Sequence, residues 1–426
     1  MSRLEPTNEA SAMQKEISAI AEQGGGTTKV EQLIQQYCPD GVEFVEIGQI
    51  AQVGTGSSNG NEADEDGAFP FFVRSQTVKR KNDYEYDEEA IIIPGEGGIG
   101  DIFHYIKGKY ALHQRVYRIH FTTSYINTKF AFYYMKSAFK QFILMKAVSA
   151  TVVSIRKPMI EGFPIPVPPL PVQEEIVRIL DTFTELQAEL QAELQKRLQQ
   201  YEYYRDKLLS FSDLSDWGGR EVSVEWKKLG ECIKSLNTGL NPRQFFKLNT
   251  DDATNYYITI REMQNHTIVV NGGTDMMNDE ALRLCNNRSN LEKGDVLFSG
   301  TGTIGEVAAL EETPTNWNIK EGVYAIKPNP NILNYRFLMY ILQSSSIRQA
   351  YLKKAAGGTV KSVPMGEMRK LEIPVPSLAE QQRIVDILDR FDKLTNDITA
   401  GLPAEIEARR KQYEYYRDRL LTFQMK

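Results

Sequence analysis

One helical segment is written twice in this chain of 426 residues. Ile165–Phe183 reads IPVPPLPVQEEIVRILDTF, and Ile373–Phe391 reads IPVPSLAEQQRIVDILDRF. A second duplicated pair follows, because YEYYRDKLLSF at Tyr201–Phe211 returns as YEYYRDRLLTF at Tyr413–Phe423. A helical unit that follows each of two dissimilar globular blocks predicts a pseudo-two-fold internal repeat.

Apolar residues in both copies recur at steps of three and four, which predicts two long helices, each with one buried stripe. The first stripe comprises Ile176, Leu180, Phe183, Leu186, Leu190, Leu194, Leu198, Tyr201 and Leu208. The second comprises Ile384, Leu388, Phe391, Leu394, Ile398, Ile406, Tyr413, Tyr416 and Leu420. We expect the two helices to pair antiparallel within the chain. Gly401 and Pro403 are expected to kink or interrupt the second helix.

The blocks before the helices repeat more faintly. VEFVEIG at Val42 matches VEWKKLG at Val224, and GEGGIGDI at Gly95 matches GTGTIGEV at Gly300. Strand-like runs such as AIIIP and DVLFS alternate with helix-like runs such as INTKFAFYYMKSAFKQFILMKA, so each block is predicted to be α+β. The predicted domains are an N-terminal arm and helix (1–41), a first block (42–170), a first helix (171–213), a linker (214–221), a second block (222–378) and a second helix (379–426).

Composition limits the possible function classes. No apolar run approaches the roughly 20 residues of a membrane span, and MSRLEPTNEASAMQKE lacks a signal-peptide pattern, so we predict a cytoplasmic protein. The net charge is −6, yet residues 42–170 hold 14 basic and 14 acidic side chains and residues 222–378 hold 18 and 16. Such neutral blocks would bind nucleic acid only through a local basic face, and partner subunits would share the phosphate contacts.

Catalytic and metal-binding patterns are not found. The three cysteines are far apart and the four histidines form no motif, so no metal site is predicted. Both glycine loops spell GxGxxG, but a dinucleotide fingerprint requires a helix directly after the third glycine, and DIFHYIKGKYAL and EVAALEE alternate as strands do. We therefore predict turn glycines rather than a nucleotide site, and no catalytic residue.

The two IPVP elements with their following QEEIVRILD and QQRIVDILD segments, the GTGTIG loop and YCPDGVEF at Tyr37 resemble the specificity subunits of type I restriction-modification systems (HsdS). The resemblance extends over nearly the whole chain from about Glu31. It implies two α+β target recognition domains, each reading half of a bipartite double-stranded DNA target, separated by two long antiparallel helices. It also implies that the helices bind two methyltransferase subunits, that restriction subunits complete the complex, and that S-adenosylmethionine, ATP and Mg belong to those partners.

The resemblance directs attention to polar loops beside strands and just before the repeated helices. Arginine bridges guanine O6 and N7, Gln or Asn bridges adenine, and lysine suits phosphate. The candidate DNA-binding residues are Arg74, Ser75, Gln76, Thr77, Lys79, Arg80, Lys81, Gly97, Gly98, Thr151, Ser154, Arg243, Gln244, Arg261, Gln264, Asn265, His266, Thr301, Thr303, Lys353, Lys354, Thr359, Lys361 and Ser362. Solvated surface residues are the alternative interpretation of each.

Tyrosine clusters on the helices exceed what one buried stripe accommodates, so some rings are predicted to dock a second protein. The candidate partner-binding residues are Tyr201, Tyr203, Tyr204, Arg205, Tyr413, Tyr415, Tyr416 and Arg417. Packing against the chain's own blocks is the alternative. For the whole protein, the alternative to a DNA-recognition subunit is a coiled-coil scaffold that binds only proteins.

Overall fold

The computed structural model describes residues 29–98, 100–146, 154–211, 223–396 and 401–426. The predicted arm before Lys29 and the candidate Thr151 lie outside these ranges. The helices are α1 Lys29–Tyr37, α2 Ile47–Ile50, α3 Thr128–Lys146, α4 Lys157–Glu161, α5 Leu170–Ser210, α6 Leu229–Cys232, α7 Pro242–Phe245, α8 Asp279–Ser289, α9 Tyr335–Gln343, α10 Ser345–Leu352, α11 Met365–Arg369, α12 Leu378–Asn396 and α13 Leu402–Leu420.

The strands range from two to nine residues. They are β1 Phe44–Glu46, β2 Ala51–Thr55, β3 Phe69–Phe72, β4 Lys79–Lys81, β5 Tyr86–Pro94, β6 His104–Leu112, β7 Val116–Phe121, β8 Pro164–Pro166, β9 Val224–Lys228, β10 Ile233–Thr238, β11 Asn255–Ile258, β12 Met263–Gln264, β13 Thr267–Ile268, β14 Met276–Met277, β15 Val296–Ser299, β16 Val307–Ala309, β17 Trp317–Ile319, β18 Val323–Pro328 and β19 Glu372–Pro376.

The chain forms two compact units. Unit 1 combines residues 1–190 with 406–426, and unit 2 comprises residues 191–405. Each unit therefore contains one globular block together with helical segments from both halves of the chain. The division falls within α5, after Leu190, whereas the predicted domain boundaries place that whole helix in a segment of its own.

Unit 1 is built on a six-stranded sheet with the order β2-β7-β5-β6-β3-β4. The sequence of β5 begins with charged residues and ends in the buried run AIIIP, so one end of the strand reaches the surface and the other crosses the core. The long apolar helix α3 packs on this sheet. Its ring Phe139 lies 5.2 Å from Phe163, which continues the core toward the β1–β8 pair and α5.

Unit 2 distributes its strands among smaller sheets. A four-stranded sheet has the order β10-β18-β15-β16, and a three-stranded sheet has the order β14-β11-β17. The hairpin β12-β13 and the pair β19-β9 are separate. The core is formed by α9, whose residues 337–342 are all buried, with α12 and the C-terminal part of α5 packed around it. The predicted strands AIIIP and DVLFS and the predicted helix of the first block are confirmed. Strands, not helices, follow the two glycine loops.

The two units repeat the same backbone frame. The amide of Gly95 donates to the carbonyl of Arg115, and Gly300 donates in the same way to Gly322. Gly56 and Gly239 each lie so close to a neighbouring strand that an added Cβ would sit 1.8 Å from a carbonyl oxygen. Such contacts admit only glycine. The predicted common scaffold is therefore confirmed at the level of individual hydrogen bonds.

A buried glutamine joins each repeated helix to the block before it. In unit 2, Gln381 donates to the carbonyls of Pro376 and Ile332 and accepts from the amide of Asn334, which caps α9. In unit 1, Gln173 makes the equivalent bonds to Pro168, Tyr125 and Asn127. Both glutamines are fully buried. Because each of these polar groups has a hydrogen-bond partner, their burial costs little free energy and the junction is rigid.

The helices pair antiparallel within the chain, as predicted. In unit 1, Phe183 of α5 stacks on Tyr416 of α13 with ring centroids 5.4 Å apart. In unit 2, Tyr204 of α5 stacks on Phe391 of α12 at 5.6 Å. The second copy forms two helices, and α13 begins directly after Gly401 with Pro403 in its first turn, where its missing amide hydrogen is not needed. Residues 397–400 lie outside the described ranges.

Candidate DNA interface and partner surface

The first candidate loop follows β3 in unit 1. Arg74, Ser75, Gln76 and Thr77 are exposed, and the Ser75 hydroxyl donates to the Thr77 carbonyl, which stabilises the turn. The loop neighbours the glycine loop, because a Cβ at Gly97 would lie 3.6 Å from the Arg74 carbonyl oxygen. The structure therefore brings together two loops that are separated by about 20 residues in sequence.

The glycine loop of unit 1 presents an open backbone. Gly97 and Gly98 have φ values of +73° and +57° and are exposed. The amide of Ile155 donates to the Gly95 carbonyl, so the segment with half-buried Ser154 also borders this loop. Three predicted segments of unit 1 thus meet at one end of the sheet.

The basic residues of β4 differ in their availability. Lys79 is exposed at the sheet edge, whereas Arg80 donates to the carbonyls of Gly67 and Ala68. Lys81 donates to the Glu62 carboxylate at 2.8 Å with only 12% of its side chain exposed, and this hydrogen bond raises the pKa of Lys81. Lys79 and Arg80 are both exposed, but the guanidinium of Arg80 is held by the two carbonyls and the ammonium of Lys81 by Glu62.

A carboxylate clamped by two arginines stands on these loops. Glu96 Oε2 accepts from Arg115 Nη1 at 2.9 Å and from Arg74 Nη1 at 3.1 Å. The Arg115 hydrogen bond, with a smaller contribution from Arg74, lowers the pKa of Glu96. Glu96 and Arg115 are not among the residues predicted from the sequence. An HQR triplet directly before the strand VYRIHF was the available signal, but nothing local shows that it reaches the glycine loop.

The equivalent loops of unit 2 also meet. The amide of Gly302 donates to the Lys361 carbonyl, and Thr301 Oγ1 donates to Ser362 Oγ at 3.2 Å. Thr303, Thr359 and Lys361 are exposed. The segment from Ala356 to Ser362 closes as a tight hairpin through two backbone bonds between those two residues. Exposed hydroxyl and lysine side chains thus surround a glycine turn.

Other candidates in unit 2 are more dispersed. Arg243 and Gln244 lie on the exposed turn α7, beside the backbone bridge between Leu240 and Lys320. Arg261 is exposed and pairs with Asp275 at 2.9 Å, and Gln264 donates to its carbonyl. Lys353 is exposed at the end of α10, and Lys354 lies 3.7 Å from Glu367.

The hairpin turn between β12 and β13 is formed by Asn265 and His266. Both have positive φ values, +49° and +63°, as a tight hairpin turn requires. Asn265 is exposed, whereas His266 Nδ1 lies 2.6 Å from Asp392 Oδ1 on α12. Burial would raise the pKa of Asp392, but the neighbouring His266 and Asn396 outweigh it and lower that pKa. His266 therefore anchors the hairpin to α12 and does not extend into solvent.

The tyrosine clusters divide into core and surface. Tyr201 is 3% exposed, and Tyr204, Tyr413 and Tyr416 pack on their own units through the ring contacts with Phe391 and Phe183. Arg205 and Arg417 lie over the rings of Tyr201 and Tyr413 and pair with the adjacent Asp206 and Asp418. Tyr203 and Tyr415, which are equivalent in the repeat, remain 61% and 60% exposed. The prediction of docking rings is corrected for Tyr201, whose ring belongs to the core.

No group of three or more His, Cys, Asp or Glu side chains suited to a metal occurs within the ranges that the structure describes. Among the same residues, every helix is too short or too polar to cross a membrane.

Comparison with known proteins gives consistent results. Residues 39–200 and 221–408 match the family model for the type I restriction modification DNA specificity domain. The EcoR124I/EcoR124II specificity subunit of Escherichia coli is 40% identical over 268 residues, which cover 61% of this chain and 63% of that protein. S.HindORF215P of Haemophilus influenzae, named as a type I restriction enzyme specificity subunit, is 30% identical over 377 residues, or 84% and 89% of the two chains.

Solved structures show the same fold. The S subunit of a type I restriction-modification system from M. genitalium superposes with a TM-score of 0.55 at 17% identity, covering 89% of this chain and 95% of that one. A chain solved to explain complex assembly and conformational transition of the type I R-M system gives a TM-score of 0.55 at 15% identity, covering 90% and 98%.

Proposed function

Because this chain belongs to the family of type I restriction-modification DNA specificity subunits, we propose that it is the non-catalytic subunit that chooses the DNA sequence on which a type I complex acts. Each unit reads one half of a bipartite double-stranded target through the loops around its glycine turn. The observation that carries this proposal is the repeated backbone frame with different exposed side chains: the bonds at Gly95 and Gly300 are the same, but the loops beside them differ.

Catalysis is assigned to partners in this proposal. Two methyltransferase subunits dock on the repeated helices and use S-adenosylmethionine, and restriction subunits use ATP and Mg. The nearly neutral charge of the two blocks supports this division, because such a chain makes few phosphate contacts alone and gains affinity when partners share them. We place the assembled complex in the cytoplasm, where chromosomal and incoming DNA are accessible.

Mapping of methylated adenines tests the proposal directly. Cells that gain this chain together with a type I methyltransferase subunit are expected to show one new bipartite methylated motif. A stable complex that produces no new motif would contradict the proposal and favour the alternative, a scaffold that binds only proteins. Cells that receive the methyltransferase subunit alone are the control.

The exposed tyrosines supply a second prediction. Tyr203→Ala with Tyr415→Ala is expected to weaken binding of a methyltransferase subunit about tenfold or more, because exposed aromatic rings are typical anchors of protein interfaces. Binding is measured by titrating the partner onto the purified chain. The matched control is Lys107→Ala, at a side chain that is also exposed but lies on β6. Unchanged affinity in the double variant would exclude the two rings as docking residues.

A further inference from the structure

The loops around the glycine turn occupy equivalent positions in the two units, so their side chains can be compared one by one. The parallel pairs Phe72↔Leu112 and Ile258↔Ile319 stand at the same place in the two frames. Arg74 lies two residues after Phe72 in unit 1, and Ile260 lies two residues after Ile258 in unit 2. The correspondence is also spatial, because Gly97 neighbours Arg74 and Gly302 neighbours Ile260.

Glu96 and Arg115, which form a three-residue clamp with Arg74, can be placed in the same way. Since Gly95 corresponds to Gly300, Glu96 corresponds to Thr301. The carbonyl that accepts from this glycine belongs to Arg115 in unit 1 and to Gly322 in unit 2. The three positions that hold Arg74, Glu96 and Arg115 in unit 1 therefore hold Ile260, Thr301 and Gly322 in unit 2.

Because unit 2 has uncharged residues at these three positions, the fold does not require the clamp. Unit 2 keeps the same backbone bonds without any charge at these positions, and a Cβ at Gly322 would lie only 2.9 Å from the Thr301 Cβ, so that position has no room for a side chain. In unit 1 the side chains of Arg74, Glu96 and Arg115 remain 48%, 37% and 56% exposed. An exposed ion pair contributes little to stability. The fold of unit 1 therefore gains little stability from these three charged side chains.

The chemistry of the clamp suits a base edge better than a phosphate. A phosphate site gains from every positive charge, and the Glu96 carboxylate would repel that ligand. A carboxylate that holds two guanidinium groups instead fixes their planes, which a bidentate contact with guanine O6 and N7 requires. The carboxylate oxygens also provide an acceptor for the cytosine amino group of the same base pair.

We propose that Arg74, Glu96 and Arg115 form a specificity clamp through which unit 1 reads a G·C base pair in its half of the target, with Glu96 as the positioning residue for the two arginines. This inference rests on the proposed function. Unit 2 has no such clamp and reads its half-site by other side chains.

The test compares methylated motifs of complexes that contain the full chain. The triple variant R74I/E96T/R115G carries the residues of unit 2. It is expected to lose the requirement for G·C at one position of one half-site, while the other half-site and the spacer stay unchanged. The wild-type complex is expected to methylate a duplex in which that pair is replaced by A·T roughly ten- to hundredfold more slowly than the original G·C duplex. The triple variant is expected to methylate the two duplexes at about the same rate.

Two further variants keep the test decisive. Glu96→Gln preserves shape and is expected to lower the discrimination between G·C and A·T, so it replaces the triple variant if that protein does not assemble. Lys107→Ala removes one exposed positive charge elsewhere in unit 1 and is expected to leave the motif unchanged.

The outcomes separate the two proposals. A wild-type complex without any bipartite motif would contradict the proposed function itself. A wild-type motif that persists unchanged in the triple variant and in Glu96→Gln would overturn only the clamp. A uniform loss of methylation on all duplexes, with the same base preference, would identify the arginines as phosphate contacts and would also overturn it.

Discussion

Gln381→Leu is expected to lower the free energy of unfolding of unit 2 by about 3 kcal/mol. Leucine fills the site but leaves the carbonyls of Pro376 and Ile332 and the amide of Asn334 without partners in a fully buried position. Each buried polar group that loses its hydrogen bond costs about 1–3 kcal/mol. Chemical denaturation measures the change in the free energy of unfolding. Hydrogen exchange of the folded variant locates it, since the Asn334 amide at the start of α9 should become the first to exchange.

The neighbouring residue provides a matched control. Gln382 accepts from the Asn334 side chain and donates to Asp386, but it is exposed, so water replaces its partners. Gln382→Leu is expected to cost less than about 1 kcal/mol. Equal destabilisation by the two substitutions would show that the buried junction is not what fixes α12 to its block. Gln173→Leu should repeat the large effect in unit 1.

Deletion of residues 187–190 is expected to shorten the unread spacer of the DNA target by one or two base pairs without changing either half-site. The unit Gln-Ala-Glu-Leu occurs twice in succession here, and α5 continues without interruption through both copies. Removal of four residues takes away about 6 Å of helix and about 40° of rotation. Residues 187–200 are largely exposed or half-buried, so the deletion disturbs little packing.

Motif mapping measures this change as well. The length-preserving variant Q187E/E189Q alters the same segment but not its length, and it should retain the original spacer. If the deletion variant methylates the original motif with its original spacer, the length of α5 does not set the distance between the half-sites. Loss of all methylation together with loss of the folded complex would be assigned to misfolding, which the free energy of unfolding of each variant reveals.

The repeat and the secondary structure were predictable because they are local. Apolar steps of three and four along α5 and the continuous apolar run AIIIP in β5 follow directly from which residues are buried. The same reasoning could not divide the tyrosines: Tyr203 and Tyr204 are adjacent on one helix, but only Tyr204 meets Phe391, a residue almost 190 positions away. Burial of that ring depends on the tertiary pairing of helices, which spacing alone does not give.

The site was predictable only in part for the same reason. Arg74 was found because a polar loop follows a strand, whereas Glu96 and Arg115 belong to two other loops that meet it only in the folded sheet. His266 had the residue type of a DNA contact, but its partner Asp392 lies on a distant helix. The buried Gln173 and Gln381 lie in polar, charge-rich segments whose sequence gives no sign that these side chains enter the core.

Unit 1 is built from two segments that are far apart in the sequence, and it therefore cannot complete its fold until the end of the chain has been synthesised. Phe183 and its neighbours on α5 are covered by Tyr413, Tyr416 and other residues of the segment 406–426. A ribosome produces that segment only after it has translated all of residues 191–405, which takes roughly 10–40 s at about 5–20 residues per second. During this interval the nascent first unit exposes an apolar groove, whereas the second unit receives all its own residues in one continuous stretch. The half of the molecule that is translated first is therefore the half that finishes folding last.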